Sequence, residues 1–231
     1  RQSVSLMLLR LFTRLTCIGA KEILALSFRD MPESKPTRIK VVPPLLRKEV
    51  LACESTPGNY IHGYMVNAGF GENIMNWHSR HKDVPLHFFW DKQDEEDICK
   101  IDETLSFHQI NDVDFLRYMA GCRAYATTAG FESVCEAMYL GKPLLMVPAH
   151  IEQDCNAYDA MRNGAGIAST EFDLEQLLTF AESYQPNPDF VHWVRTCDWR
   201  ILRCIENSIS SSHSPVSAFP YSYCNVSDTG L

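Results

Sequence analysis

Residues 125–156, YATTAGFESVCEAMYLGKPLLMVPAHIEQDCN, decide the fold. They read as a strand, a Gly-containing turn, an amphipathic helix and a second buried strand. The first strand runs into Thr127, Thr128, Ala129 and Gly130, and Gly130 is expected to let the backbone approach a ligand with no side chain in the way. A helix over 131–140 follows at once, so its first free N–H groups and the positive end of its dipole face whatever occupies the crevice. An anionic phosphate is the ligand that such a helix start favours. Gly141 reads as the C′ residue that stops the helix, Pro143 follows it, and 144–148 is an apolar run suited to a parallel strand covered on both faces.

The same alternation extends in both directions. Residues 60–68 read as a strand ending in Gly69, Phe70 and Gly71, with a helix over 72–81. That second Gly turn is either part of a ligand cleft or a tight βα connection. Residues 85–90 form another strand, whose Phe88, Phe89 and Trp90 read as core. Phe107 opens a short further strand, and 112–119 a helix with Asp112 as its cap. With 125–127 and 144–147 this makes a parallel sheet of roughly five strands, a doubly wound, Rossmann-like α/β domain whose ligands belong outside the carboxyl ends of its strands.

Residues 173–184 are amphipathic, Pro186 and Pro188 interrupt, and 191–206 is expected as the final helix, with Trp193 and Trp199. The Ser-rich end, 207–231, has too little apolar surface to offset its ordering entropy and is expected to be disordered; the Asn225-Val-Ser triplet within it reads as a chance sequon. At the other end, 4–22 shows helical spacing and 23–28 a short apolar run, together the last helix and strand of a preceding domain. A Pro-containing linker spans 29–37, and the boundary falls near Lys40, giving units at 1–40, 41–206 and 207–231.

Composition excludes several classes. The formal net charge of −8, with no Lys/Arg-rich run, excludes a nucleic-acid partner. Nine cysteines without CxxC pairs or metal-ligand spacing read as reduced residues of a cytosolic protein. The charge run at 94–97 reads as a solvated segment, and no metal site is expected. No apolar stretch reaches the ~18 residues of a membrane span, and Arg10 and Arg14 break the N-terminal Leu-rich run.

The residues of the opening stretch resemble the donor-binding C-terminal half of GT-B fold glycosyltransferases, the group that includes the UDP-glycosyltransferases and the peptidoglycan GlcNAc transferase. The likeness lies in order and spacing: Thr128 to Gly130, Glu136, Gly141 with Pro143, Pro148, Glu152 with Gln153, and Asn156 with Ala157. It extends less clearly over 41–206, and 39–44 followed by LLRKEV resembles the family's crossover between its two halves. The chain is then expected to be part of a two-domain enzyme, beginning on Arg1 as a truncated piece would.

The resemblance implies roles. Thr128, Gly130, Phe131 and Ser133 would hold the diphosphate, Glu136 the ribose hydroxyls, and Glu152 with Gln153 the donor sugar. Phe107, His108, Gln109 and Ile110 stand where the family has a loop that receives the base, and His150 could contact sugar or phosphate. Two positions depart from the pattern: Glu132 stands where plant-type members have Asn, and Thr128 where the family usually has His.

The activity implied is transfer of a sugar from a nucleotide-sugar, UDP-linked in the nearest groups, to an acceptor hydroxyl, without metal or other cofactor and with inversion. The catalytic base is unknown, expected in the preceding half, and the acceptor is a lipid, a glycan or another hydroxyl compound. A cytoplasmic location is expected, with peripheral association at the inner face of the membrane left open. The rival readings are a UDP-sugar epimerase of the same architecture and a non-catalytic nucleotide-sugar-binding module.

Overall fold

The computed structural model describes residues 2–31, 38–92 and 97–210. Most of the expected linker, all of the charge run but Asp97 and the tail beyond Ser210, with Asn225, lie outside the described residues. The chain opens with helix α1 (Gln2–Thr16) and two parallel strands, β1 (Ile23–Leu26) and β2 (Ile39–Val42), which form a small sheet of their own. β2 crosses Lys40, and the short helix α2 (Lys48–Leu51) follows.

The main domain alternates strand and helix: β3 (Ile61–Met65), α3 (Gly71–His78), β4 (Leu86–Trp90), β5 (Ile98–Lys100), β6 (Leu105–Gln109), α4 (Asp112–Gly121), β7 (Ala124–Thr127), α5 (Phe131–Tyr139), β8 (Leu144–Met146), α6 (Ile151–Arg162), β9 (Gly166–Ala168) and α7 (Leu174–Ser183). Two helices, α8 (Pro188–Arg195) and α9 (Cys197–Ser210), end the described chain. The sheet has seven strands in the order β5-β6-β4-β3-β7-β8-β9, all parallel except β5. The doubly wound α/β expectation holds, and the count of about five strands is corrected to seven. β5 and β9 are three residues each and carry no alternation to detect.

Alternate residues of each strand serve opposite faces. Ile61, Met65, Leu86, Phe88, Leu105, Phe107, Ala126 and Leu145 pack under α3 and α7, with Ile74, Trp77, Leu174 and Leu177 supplied by those helices. Tyr125, Leu144 and Met146 face the other way, into a core completed by Leu116, Met119, Val134, Met138, Ala157, Phe190 and Trp193 from α4, α5, α6 and α8. Phe88, Phe89 and Trp90 are buried, as expected of core.

The helix limits follow from local chemistry. Lys142 N–H donates to Ala137 O, Gly141 N–H to Met138 O, and Gly141 has φ +69, the doubly bonded left-handed stop that glycine permits. The cap of α4 is Asn111, not Asp112: its Oδ1 accepts from the N–H groups of Val113 and Asp114, both at 3.1 Å. The single final helix expected over 191–206 is two helices, because Pro188 starts the first, with Asn187 as its cap, and the chain turns at Thr196. α9 packs on β2, Trp193 Nε1 donates to Ser27 O at 2.9 Å, and Arg200 pairs with Asp30 at 2.7 Å, so α8 and α9 hold the first strands against the main domain.

Candidate functional site

The carboxyl ends of β3, β6, β7 and β8 bring together Asn67, Ile110 to Asp112, Thr128 to Gly130 and Pro148 to His150. At the centre is the β7–α5 turn. The residue with the unusual backbone there is Ala129, at φ +63 and fully buried, whereas Gly130 has φ −62 and ψ 133. The unusual backbone of the turn therefore belongs to Ala129, where a Cβ in the left-handed region costs on the order of 1 kcal/mol. The surroundings hold it. Asn156 Nδ2 donates to Ala129 O at 3.2 Å, Thr128 N–H donates to Tyr64 O at 3.3 Å, and the fully buried Thr128 Oγ1 accepts from Val66 N–H at 3.4 Å. The Thr128 side chain thus braces the β7–α5 turn from within.

Gly130 is the N-cap of α5 and supplies no side-chain cap. A Cβ built on it would meet only Ser133 Oγ, at 3.8 Å, so the helix start stands open. Phe131 turns into the protein, its ring 4.8 Å from that of Phe28 and tilted by 54°, while Ser133 Oγ donates back to Gly130 O at 3.3 Å. What α5 offers at its start is backbone N–H and dipole. Glu132 is exposed in this first turn.

Glu136, on the next turn, is 6 % exposed and already engaged. Arg47, just before α2, donates from Nε to Oε1 at 2.7 Å and from Nη2 to Oε2 at 3.0 Å, a bidentate pair. The carboxylate raises the guanidinium pKa above its ordinary value, mainly through this hydrogen bonding. Nothing in the spacing of two residues 89 positions apart announces the pair.

On α6, Glu152 is exposed and Gln153 is buried, with Oε1 accepting from Ala149 N–H at 2.8 Å. Gln153 so closes the loop that carries His150, which is exposed at the helix start.

The stretch expected to receive the base is mostly strand. Phe107, His108 and Gln109 belong to β6, and only Ile110 lies beyond the strand end. Phe107 is buried and stacked on Trp90, with centroids 4.4 Å apart. His108 is buried, stacked on Phe89 at 4.9 Å and bonded through Nε2 to Ser106 Oγ at 2.8 Å. Phe107 and His108, buried within the sheet, keep little surface for a base. Burial is the main cause that pushes the His108 pKa down to about 4.

A cavity of about 550 Å³ lies elsewhere, lined by Cys53, Glu54, Tyr60, Leu116 and Arg117 at the amino ends of the strands. It shares no residue with the α5 start. Parallel α/β sheets place ligands at the other edge, so the β7–α5 turn and not this cavity is the candidate. Among the described residues no group of three or more His, Cys, Asp or Glu could hold a metal ion, and no helix is long and apolar enough to cross a membrane.

The profile of glycosyl transferase family 1 matches residues 3–184, and the chain belongs to that family. Among solved structures it is similar to the glycotransferase of kitacinnamycin, with 14% identity and TM-score 0.57 over 81% of this chain and 55% of that one. It also resembles CalG4, the calicheamicin glycosyltransferase, with 16% identity and TM-score 0.50 over 81% of this chain and 52% of that one. LpCGTa, solved in complex with UDP, matches at 14% identity and TM-score 0.52 over 78% and 49%. These likenesses establish the GT-B type of fold, and the chain spans about half the length of those structures. No curated protein sequence matches it.

Proposed function

We propose that this chain is the donor-binding part of a glycosyltransferase that takes its sugar from a nucleoside diphosphate, UDP in the first instance. The observation that carries the reading is the uncapped start of α5 at the carboxyl edge of a parallel sheet, one and a half turns from the carboxylate of Glu136. The backbone N–H groups of Phe131, Glu132 and Ser133 would meet the diphosphate, Glu136 the ribose hydroxyls, and Ile110 the base. Glu152, exposed at the start of α6, and the amide nitrogen of Gln153 would meet the donor sugar.

In the reaction the acceptor hydroxyl attacks the anomeric carbon as the bond to the diphosphate breaks, a single displacement that inverts configuration. A general base takes the acceptor proton, and we assign that base to a preceding domain. Charge gathering on the leaving diphosphate is met by amides already fixed in direction, an electrostatic arrangement that needs no metal ion. Residues 1–40 are read as the end of that preceding domain. A two-stranded sheet is marginal by itself, and Met7, Leu8, Leu11, Phe12 and Leu15 of α1 are exposed, which fits surfaces built to be covered.

Calorimetric titration with UDP tests the reading, with GDP and TDP as comparisons for the base. Glu136→Ala should weaken UDP binding by about 1–3 kcal/mol, the range for lost hydrogen bonds to a charged group. Unchanged affinity in a folded variant would remove Glu136 from the site.

A further inference from the structure

The fork of Arg47 occupies both oxygens of Glu136, at 2.7 and 3.0 Å, and so covers the edge of the carboxylate that two vicinal hydroxyls would use. A nucleoside that reaches Glu136 has to displace a guanidinium. Separating a charge pair whose acid is buried is costly when nothing replaces the lost partner. The side chain of Arg47 is 35 % exposed, and its Nη1 lies 3.9 Å from Asp112 Oδ1 at the first turn of α4. It therefore stands at the carboxyl ends of the strands, between the starts of two helices. About 9 Å of helix axis separates Glu136 from Gly130. Glu132, Glu136 and Asp112 put negative charge around this position, which an entering diphosphate would meet.

We propose that Arg47 is an exchange residue: it holds Glu136 until a nucleoside diphosphate binds, whereupon the ribose hydroxyls take over the carboxylate and the guanidinium turns to the diphosphate. This rests on the reading of Glu136 as the ribose carboxylate. Its consequence is selectivity. A ligand carrying a diphosphate supplies a new anion for Arg47, whereas a bare nucleoside must displace the guanidinium and leave it only the solvated carboxylate of Asp112, 3.9 Å from Nη1.

The test is titration of the full chain with UDP and with uridine, in the wild type and in the Arg47→Met, Arg47→Lys and Glu136→Gln variants. Met keeps the apolar stem of arginine, and thermal midpoints identify the variants that fold. Arg47→Met should weaken UDP at least about tenfold while uridine binds as well as or better than to the wild type, so the preference for UDP collapses. Arg47→Lys should restore part of that preference, since a point charge meets a phosphate without the fork. If Arg47→Met shifts both ligands equally or neither, Arg47 merely braces the fold and the exchange is overturned. If Glu136→Gln leaves both affinities unchanged, the ribose reading falls and takes the exchange with it. If Glu136→Gln weakens both ligands while the Arg47 variants keep the wild-type ratio, the exchange alone falls.

Discussion

α4 and α5 lie on the same face of one sheet, and both start at the carboxyl end of a parallel strand, yet their first turns are finished differently. Asn111 closes α4 by accepting from two backbone N–H groups, and Asp112 and Asp114 add negative charge beside its dipole. α5 begins on Gly130 with no side-chain cap, after a residue held in the left-handed region by Asn156 and the buried Thr128. What lies beneath them differs too. α5 covers Tyr125, Leu144 and Met146, whereas Phe115 and Tyr118 of α4 pack on His62, and Tyr118 also packs on His87 and His108. One helix start is satisfied by its own protein. The other start has no side-chain cap and follows the strained residue Ala129, and under the proposed reading a diphosphate would take its N–H groups.

Making α5 resemble α4 should have the largest effect. Gly130 has the extended backbone of an ordinary N-cap and room for a Cβ, so Gly130→Asp can place a carboxylate over the open N–H groups. The helix gains a few tenths of a kcal/mol, since glycine is already a fair cap. The same carboxylate occupies and repels the diphosphate position, and UDP affinity should fall about a hundredfold, ~2.7 kcal/mol. Calorimetry with parallel thermal melts reads both changes. A variant that melts higher and still binds UDP as tightly would place the diphosphate elsewhere.

The contrast between the two helix starts was only half legible in the sequence. Gly141 and the apolar run that follows it sit in patterns that local physics makes nearly obligatory, and the strand-helix alternation carried the fold. The edge strands ICK and GIA are too short for a period to show, and Thr196 divides α8 from α9 with neither proline nor glycine to mark the place. The site was harder. Ala129 carries the unusual backbone because Asn156 bonds its carbonyl and Thr128 before it is fixed to Tyr64, contacts that exist only once the sheet has formed. Arg47 meets Glu136 across 89 residues, and His108, polar and next to Gln109, reads as a pocket residue until the strand that buries it is seen.

That buried histidine face gives the next largest effect, about 2 kcal/mol. His62 is fully buried against Phe115, Phe89 and Tyr125, and neither ring nitrogen has a hydrogen-bond partner of good geometry. Burial, above all, holds its pKa down to about 3. The unfolded chain takes up the proton as pH falls through about 6.5, and the fold refuses it until far lower. The stability is therefore intact above the unfolded value and drains away between there and about 3. Replacing His62 with Leu should shrink the loss of stability between pH 7 and pH 5 by about 2 kcal/mol, measured by urea unfolding at both values. His87 and His108, also shifted down mainly by burial, keep a residual acid sensitivity in the variant. An unchanged pH slope would mean that His62 escapes its enclosure on protonation, so that the region beneath α4 yields more readily than its packing implies.

The smallest expected change removes the cap that α5 never had. Asn111→Ala leaves the N–H groups of Val113 and Asp114 without their acceptor and should cost about 1 kcal/mol of stability. Because that start is closed by protein and needs no ligand, UDP affinity should stay within about twofold of the wild type, well below the tenfold that 1.4 kcal/mol represents. The two readouts separate the two helices. An affinity loss larger than the loss of stability would show that the start of α4, beside Ile110 and Arg47, also faces the nucleotide, and the division of labour between a closed helix and an open one would give way to a site shared by both.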